Sequence, residues 1–124
     1  MAESKARPPG EIERIVAETL WDGVDDYVSL DSLIWNTREV VPLSDDRFVE
    51  VFRAVLDFLL RDGLMVVGDL GKTGFEPWTS TIEDTVERVV HDCRAVDWLP
   101  QLSLYWLNST PKGEKQAKEP SSSS

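Results

Sequence analysis

Apolar residues recur at helical spacing in four stretches of this chain, and the last two of those stretches flank a short apolar run that reads as a strand. In the first stretch Ile12, Ile15, Val16 and Leu20 share one face, which predicts a helix over 11–21 ended by Asp22 and Gly23. Ser29 then stands where an N-cap belongs, before a short second helix through Leu33, Ile34 and Trp35. Val28 and Leu33 have the spacing of a hydrophobic staple around it. Leu43, Ser44 and Phe48 repeat the device and predict a third helix over 45–61. Pro42 separates it from the second, because it disfavours a helical Val41 and lacks an amide donor. This third segment is apolar around most of its circumference (Phe48, Val49, Val51, Phe52, Val55, Leu56, Phe58, Leu59, Leu60), so it is expected to be the central helix.

Gly63 is placed to stop that helix. Leu64 to Val67 then reads as a strand, Gly68 to Gly74 as a turn-rich connection, and Phe75 to Trp78 as a return strand limited by Pro77. Ser80-Thr81-Ile82-Glu83 has capping-box spacing and opens a fourth helix through Arg94, with Ile82, Val86, Val89, Val90 and Cys93 on one face. Between Trp98 and Leu107 two patterns compete. Leu102, Leu104 and Trp106 alternate as in a strand, while Leu99, Leu102 and Trp106 fit a short helix with Pro100 in its first turn. The helix is the reading adopted.

The ends differ from the middle. Residues 1–9 and 109–124 hold five cations and three acids among Pro and Ser, and they are read as mobile tails because they bury too little apolar surface to offset ordering entropy. The expected organisation is therefore one α+β, mainly α, domain over 10–108 between two tails. The chain of 124 residues carries 23 acids and 13 cations, a net charge of −10. Residues 10–108 alone hold 20 acids against 8 cations, a net of −12. Such a surface repels phosphate backbones and anionic lipid. No apolar run approaches a membrane span, no secretory h-region opens the sequence, and one cysteine excludes an internal disulfide; a cytoplasmic protein is expected.

Three helices, the last ending in Leu59-Leu60-Arg61-Asp62-Gly63 and followed by Leu64-Met65-Val66-Val67 and a hairpin, resemble a winged helix-turn-helix domain over about residues 11–78. The resemblance implies that residues 45–61 would be the recognition helix and 68–76 the wing of a DNA-binding module. On those surfaces Asp45, Asp46, Glu50 and Asp57 stand against Arg47, Arg53 and Arg61, and Asp69 and Glu76 stand against Lys72. Acids thus occupy both places where this family meets phosphate, and nucleic acid is an unlikely ligand.

Catalytic chemistry finds little support. His91 is the single histidine, and on a helix it diverges from Cys93 by about two steps of 100°. Cys93 falls on the apolar face. Neither the Asp22/Asp25/Asp26 group nor Asp45/Asp46 has the alternation of a calcium loop, and first-turn acids are favoured by the helix dipole in any case. Gly71-Lys72-Thr73 matches the end of a phosphate-binding loop, but Val66 stands where its first glycine is required. No catalytic residue, cofactor or metal is expected. The five tryptophans suit a small core; Tyr105 and Trp106 are the pair an exposed binding patch would use, and burial is the reading preferred for them. The expected function is a non-enzymatic interaction domain that meets a basic protein, such as an immunity protein neutralising a nuclease-like toxin. Its candidate contacts are Asp25, Asp26, Asp45, Asp46, Glu50, Asp69, Glu76, Tyr105 and Trp106. A winged-helix transcriptional regulator and an adaptor subunit of a larger assembly are the alternatives.

Overall fold

The structure is a computed structural model that describes residues 10–99 and 105–118. Its elements run α1 (Glu11–Asp22), β1 (Val28–Ser29), α2 (Leu30–Arg38), α3 (Phe48–Arg61), β2 (Met65–Gly71), β3 (Gly74–Pro77), α4 (Ile82–Ala95), β4 (Trp106–Ser109) and α5 (Pro111–Lys118). The class is α+β, mainly α: five helices with one four-stranded antiparallel sheet of order β1-β4-β2-β3.

Local signals account for most boundaries. The Ser29 hydroxyl accepts the Ser32 amide at 3.2 Å, and the staple residues Val28 and Leu33 are both buried. After α3, Gly63 takes φ +72°, the Gly63 amide reaches the Leu60 carbonyl at 3.1 Å and the Leu64 amide reaches Leu59 at 2.9 Å. These are the paired bonds of a glycine-terminated helix. The α3 start differs from expectation. Asp45 accepts the Arg47 amide at 2.8 Å, and the Asp45 carbonyl receives the Phe48 amide at 3.0 Å. These turns occupy 42–47, so the helix begins three residues after Asp45 and Ser44 does not cap it. The cap of α4 likewise shifts by one, to Thr81, whose hydroxyl accepts the Asp84 amide at 3.1 Å.

The core gathers around α3, which packs against α1, α2, α4 and β2 and buries Phe48, Val51, Phe52, Val55, Leu56 and Leu59. Trp98 closes one end, standing edge-on to Phe48 and Phe52 at centroid distances of 5.2 and 4.9 Å. Between α1 and α2 the buried Asn36 amide donates to Thr19 Oγ1 at 3.2 Å and to Asp22 at 3.0 Å, which satisfies a polar group that burial would otherwise penalise.

Two expectations are corrected. The segment read as helix ends in a strand: β4 pairs with β1 on one side and with β2 on the other, so a strand there satisfies amides and carbonyls that a helix would leave unpaired on both neighbours. Residues 100–104, which include Leu102 and Leu104, lie outside the described residues. The tail predicted from 109 onward is also part of the fold as far as Lys118. Ser109 pairs with Met65, and α5 docks on α1. Thr110 Oγ1 donates to the Gly63 carbonyl at 2.6 Å, its amide reaches Leu64 at 3.0 Å, and Lys112 Nζ reaches the Asp62 carbonyl at 2.9 Å. Gly113 is buried where a Cβ would collide with the Leu64 carbonyl oxygen. Composition pointed to disorder, but the segment docks through its glycine and its backbone bonds. The tails predicted at 1–9 and 119–124 lie outside the described residues.

Among the described residues no helix is long and apolar enough to cross a membrane.

Candidate interaction surface

The arginines of α3 and of its N-cap pair at the surface with the protein's own acids. Arg47 bonds Glu11 at 3.0 Å and Asp45 at 3.3 Å, Arg53 pairs with Glu87, and Arg61 bonds Asp57 at 2.8 Å and Glu83 at 3.2 Å. Glu83 and Glu87 belong to α4, so the fourth helix lies along the arginine-bearing side of α3. The pairing shows in the titration of the acids. Asp45 is held below the usual carboxylate range by the Arg47 amide and then its guanidinium, Asp57 by its bond to Arg61, and Glu83 by its own amide and then Arg61.

Other acids have no ion-pair partner among the described residues. Asp25 and Asp26 sit exposed in the loop before β1, Asp46 and Glu50 at the entry to α3, and Asp69 and Glu76 face one another across the β2–β3 ladder. The last two carry only neutral donors: Trp78 Nε1 bonds Asp69 at 2.9 Å and Thr73 Oγ1 bonds Glu76 at 3.3 Å. Asp45 differs from the rest of the predicted set in being tied to Arg47.

The strand register sorts the remaining predicted residues onto two sheet faces, because side chains alternate along each strand. Val28, Leu107 and Val67 lie in register and are buried, which makes theirs the core face. The opposite face holds Ser29, Trp106 and Gly68, with Leu70 opposite Phe75 further along the hairpin. Trp106 is half-buried there, and Leu70 is exposed. Tyr27 stacks on Phe75 at 5.4 Å and 17°, which brings Asp25 and Asp26 to the rim of this apolar face. Gly68 is needed beneath it: a Cβ would lie 2.7 Å from the Phe75 ring. Tyr105, a candidate contact, is buried. Its ring meets Trp78 edge-on at 4.6 Å and its hydroxyl donates to Asp92 at 2.8 Å. Burial first, and then that carboxylate, push its ionisation well above the ordinary phenol range.

Beside Tyr105 a depression of about 390 Å³ is lined by Asp69, Arg88, Asp92, Ala95, Val96 and Tyr105. The Arg88 guanidinium lies 3.9 Å from the Trp78 ring centroid and 5.6 Å from that of Tyr105, with Nε 3.8 Å from Asp92. Sequence reasoning missed Arg88, Asp92 and Trp78 as a group. Only the i,i+4 spacing of Arg88 and Asp92 was visible; Trp78 and Tyr105 arrive from other elements. The most exposed tryptophans differ from the candidate Trp106: they are Trp21 at 61% and Trp35 at 57%, on α1 and α2.

Cys93 is buried and its thiol is pushed up to about 12 by that burial, with Asp92 and Asp31 adding to the effect, so it stays protonated at neutral pH. His91 is exposed on α4. Among the described residues no three histidine, cysteine or acidic side chains converge as a metal site would require. No family model, curated protein or solved structure matches the chain.

Proposed function

We propose that this is a non-enzymatic, acidic protein-interaction domain of winged-helix type whose partner is a basic protein. The observation that carries the reading is the unequal fate of the charges: Arg47, Arg53 and Arg61 are paired with the protein's own acids, whereas Asp25, Asp26, Asp46, Glu50, Asp69 and Glu76 present carboxylates with no cation partner among the described residues. Exposed unpaired acids raise the encounter rate with a positively charged surface and suppress encounters with phosphate. The order helix, strand, two helices, hairpin supports the winged-helix assignment, with β4 and α5 as additions. In its most concrete form the domain is a cytoplasmic immunity protein that lays carboxylates over the basic active surface of a nuclease-like toxin. A regulator that reads DNA with α3 is disfavoured, since α4 covers the arginine side of that helix and supplies Glu83 and Glu87 to it.

The test is affinity capture from the native cell on immobilised protein, eluted with a salt gradient and repeated with the Asp25→Lys/Asp26→Lys/Asp46→Lys variant. A captured partner of high isoelectric point, eluting at moderate salt and lost with the variant, is the expected result. An acidic partner, or one whose retention ignores both salt and charge reversal, contradicts the reading.

A further inference from the structure

We propose that the aromatic corner of Trp78 and Tyr105, flanked by Asp69 and Asp92, is a receptor site for one guanidinium or ammonium group of the basic partner, covered in the free protein by the chain's own Arg88. The inference rests on the interaction reading above and locates its anchor.

A cation is attracted to an aromatic face, and the attraction grows where water is excluded and a carboxylate stands close by. The aromatic faces and the carboxylates are present here. Trp78 and Tyr105 meet edge-on at 4.6 Å and form two walls. Each wall is pinned by a carboxylate, Trp78 through Nε1 to Asp69 at 2.9 Å and Tyr105 through its hydroxyl to Asp92 at 2.8 Å. The carboxylates are thereby fixed at the rim with acceptor capacity to spare. The Trp78 face already carries a guanidinium at 3.9 Å from its centroid, so the corner accommodates the chemical group it would bind.

Arg88 is itself a weakly held occupant. Its side chain is 57% exposed, and its closest carboxylate contact is Asp92 at 3.8 Å, longer than a hydrogen bond. An arginine carried by a partner has the same shape and charge, so it can displace Arg88 without leaving the walls bare. The displaced side chain moves into water, where its charge is well solvated. Arg88 thus acts as a placeholder, and any fraction of time it spends in the site reduces apparent affinity in proportion.

The probe is hexa-arginine, with hexa-citrulline as the neutral control, titrated into the full chain at low salt while the five tryptophan indole N–H resonances are followed by NMR. Trp78→Phe assigns the Trp78 signal. Arg88→Gln empties the site, and Arg94→Gln changes the net charge equally from an exposed position elsewhere on α4. The expected result is a shift of the Trp78 indole by hexa-arginine and not by hexa-citrulline. Binding should be about three- to tenfold tighter for Arg88→Gln than for Arg94→Gln, and Asp69→Asn should weaken it. If the peptide binds but Arg88→Gln and Arg94→Gln behave alike, or the Trp78 signal stays still, the receptor site is overturned while the acidic-surface reading stands. If hexa-arginine fails to bind at low salt, the acidic-surface reading falls as well.

Discussion

Replacing Gly113 by alanine asks whether α5 belongs to the folded domain, and the sign of the answer decides. Were 111–118 a loose helical tail, alanine would stabilise it by up to about 1 kcal/mol through helix propensity alone. In the structure the added Cβ meets the Leu64 carbonyl, so α5 has to shift off the turn at 63–64. That shift loosens the Thr110 and Lys112 bonds to Gly63, Leu64 and Asp62, each worth about 1 kcal/mol net. Allowing for the opposing propensity gain, the expected loss is about 1–2 kcal/mol. For a domain of this size that is roughly a 4–8 °C fall in Tm. Urea unfolding followed by far-UV circular dichroism gives the midpoint and the slope, and an unchanged slope identifies the change as one of stability. Thr110→Val, which removes the bridging hydroxyl and keeps the shape, is expected to act in the same direction. A neutral or stabilised Gly113→Ala protein would refute the docking of α5.

Further outcomes follow from the core and the charges. Trp98→Ala, which removes the edge-on contacts to Phe48 and Phe52, should cost about 3–5 kcal/mol in the same unfolding assay. Asp57 titrates below its ordinary range in the fold, so it contributes stability above pH 4 that is lost as pH falls through its folded value. The deficit of Asp57→Asn, on the order of a few tenths of a kcal/mol at neutral pH for so exposed a pair, should vanish in acid. Asp31 is shifted upward by burial, and its Oδ1 lacks a partner among the described residues. Asp31→Asn should therefore stabilise the protein at neutral pH, with the gain fading as pH falls through the raised folded value and gone by the ordinary Asp value. Cys93 should resist a thiol reagent in the native state and react fully once urea unfolds the chain.

What the sequence disclosed was local. The cap at Ser29, the glycine stop at 63, the breadth of apolar residues on α3 and the hairpin after it each follow from a few adjacent residues, and each is found in place. Apart from the helix starts near 44 and 80, which local turns and caps moved by one to three residues, the misreadings involve partners far along the chain. β4 is a strand because β1 and β2 both offer it an edge, and α5 is ordered because Gly113 fits against Leu64, 49 residues earlier in the numbering. The same limit hid the receptor site, whose walls at 78 and 105 and whose occupant at 88 come from three segments. Tyr105 was a candidate contact as an aromatic in a segment of ambiguous pattern, and the partners that bury it, Trp78 and Asp92, come from elsewhere in the chain. The excess of acid was legible throughout, but that the arginines of α3 would be neutralised by α4 required the packing of the two helices.

The central claim, that this surface is built for cationic protein and not for phosphate, is most directly tested by titrating the full chain with a short random-sequence DNA duplex and with hexa-arginine, each at low and at physiological salt. No measurable binding of the duplex is expected at either salt, and the peptide is expected to bind with an affinity that weakens as salt rises. Duplex binding with a steep salt slope, and a peptide that does not bind, would contradict that claim.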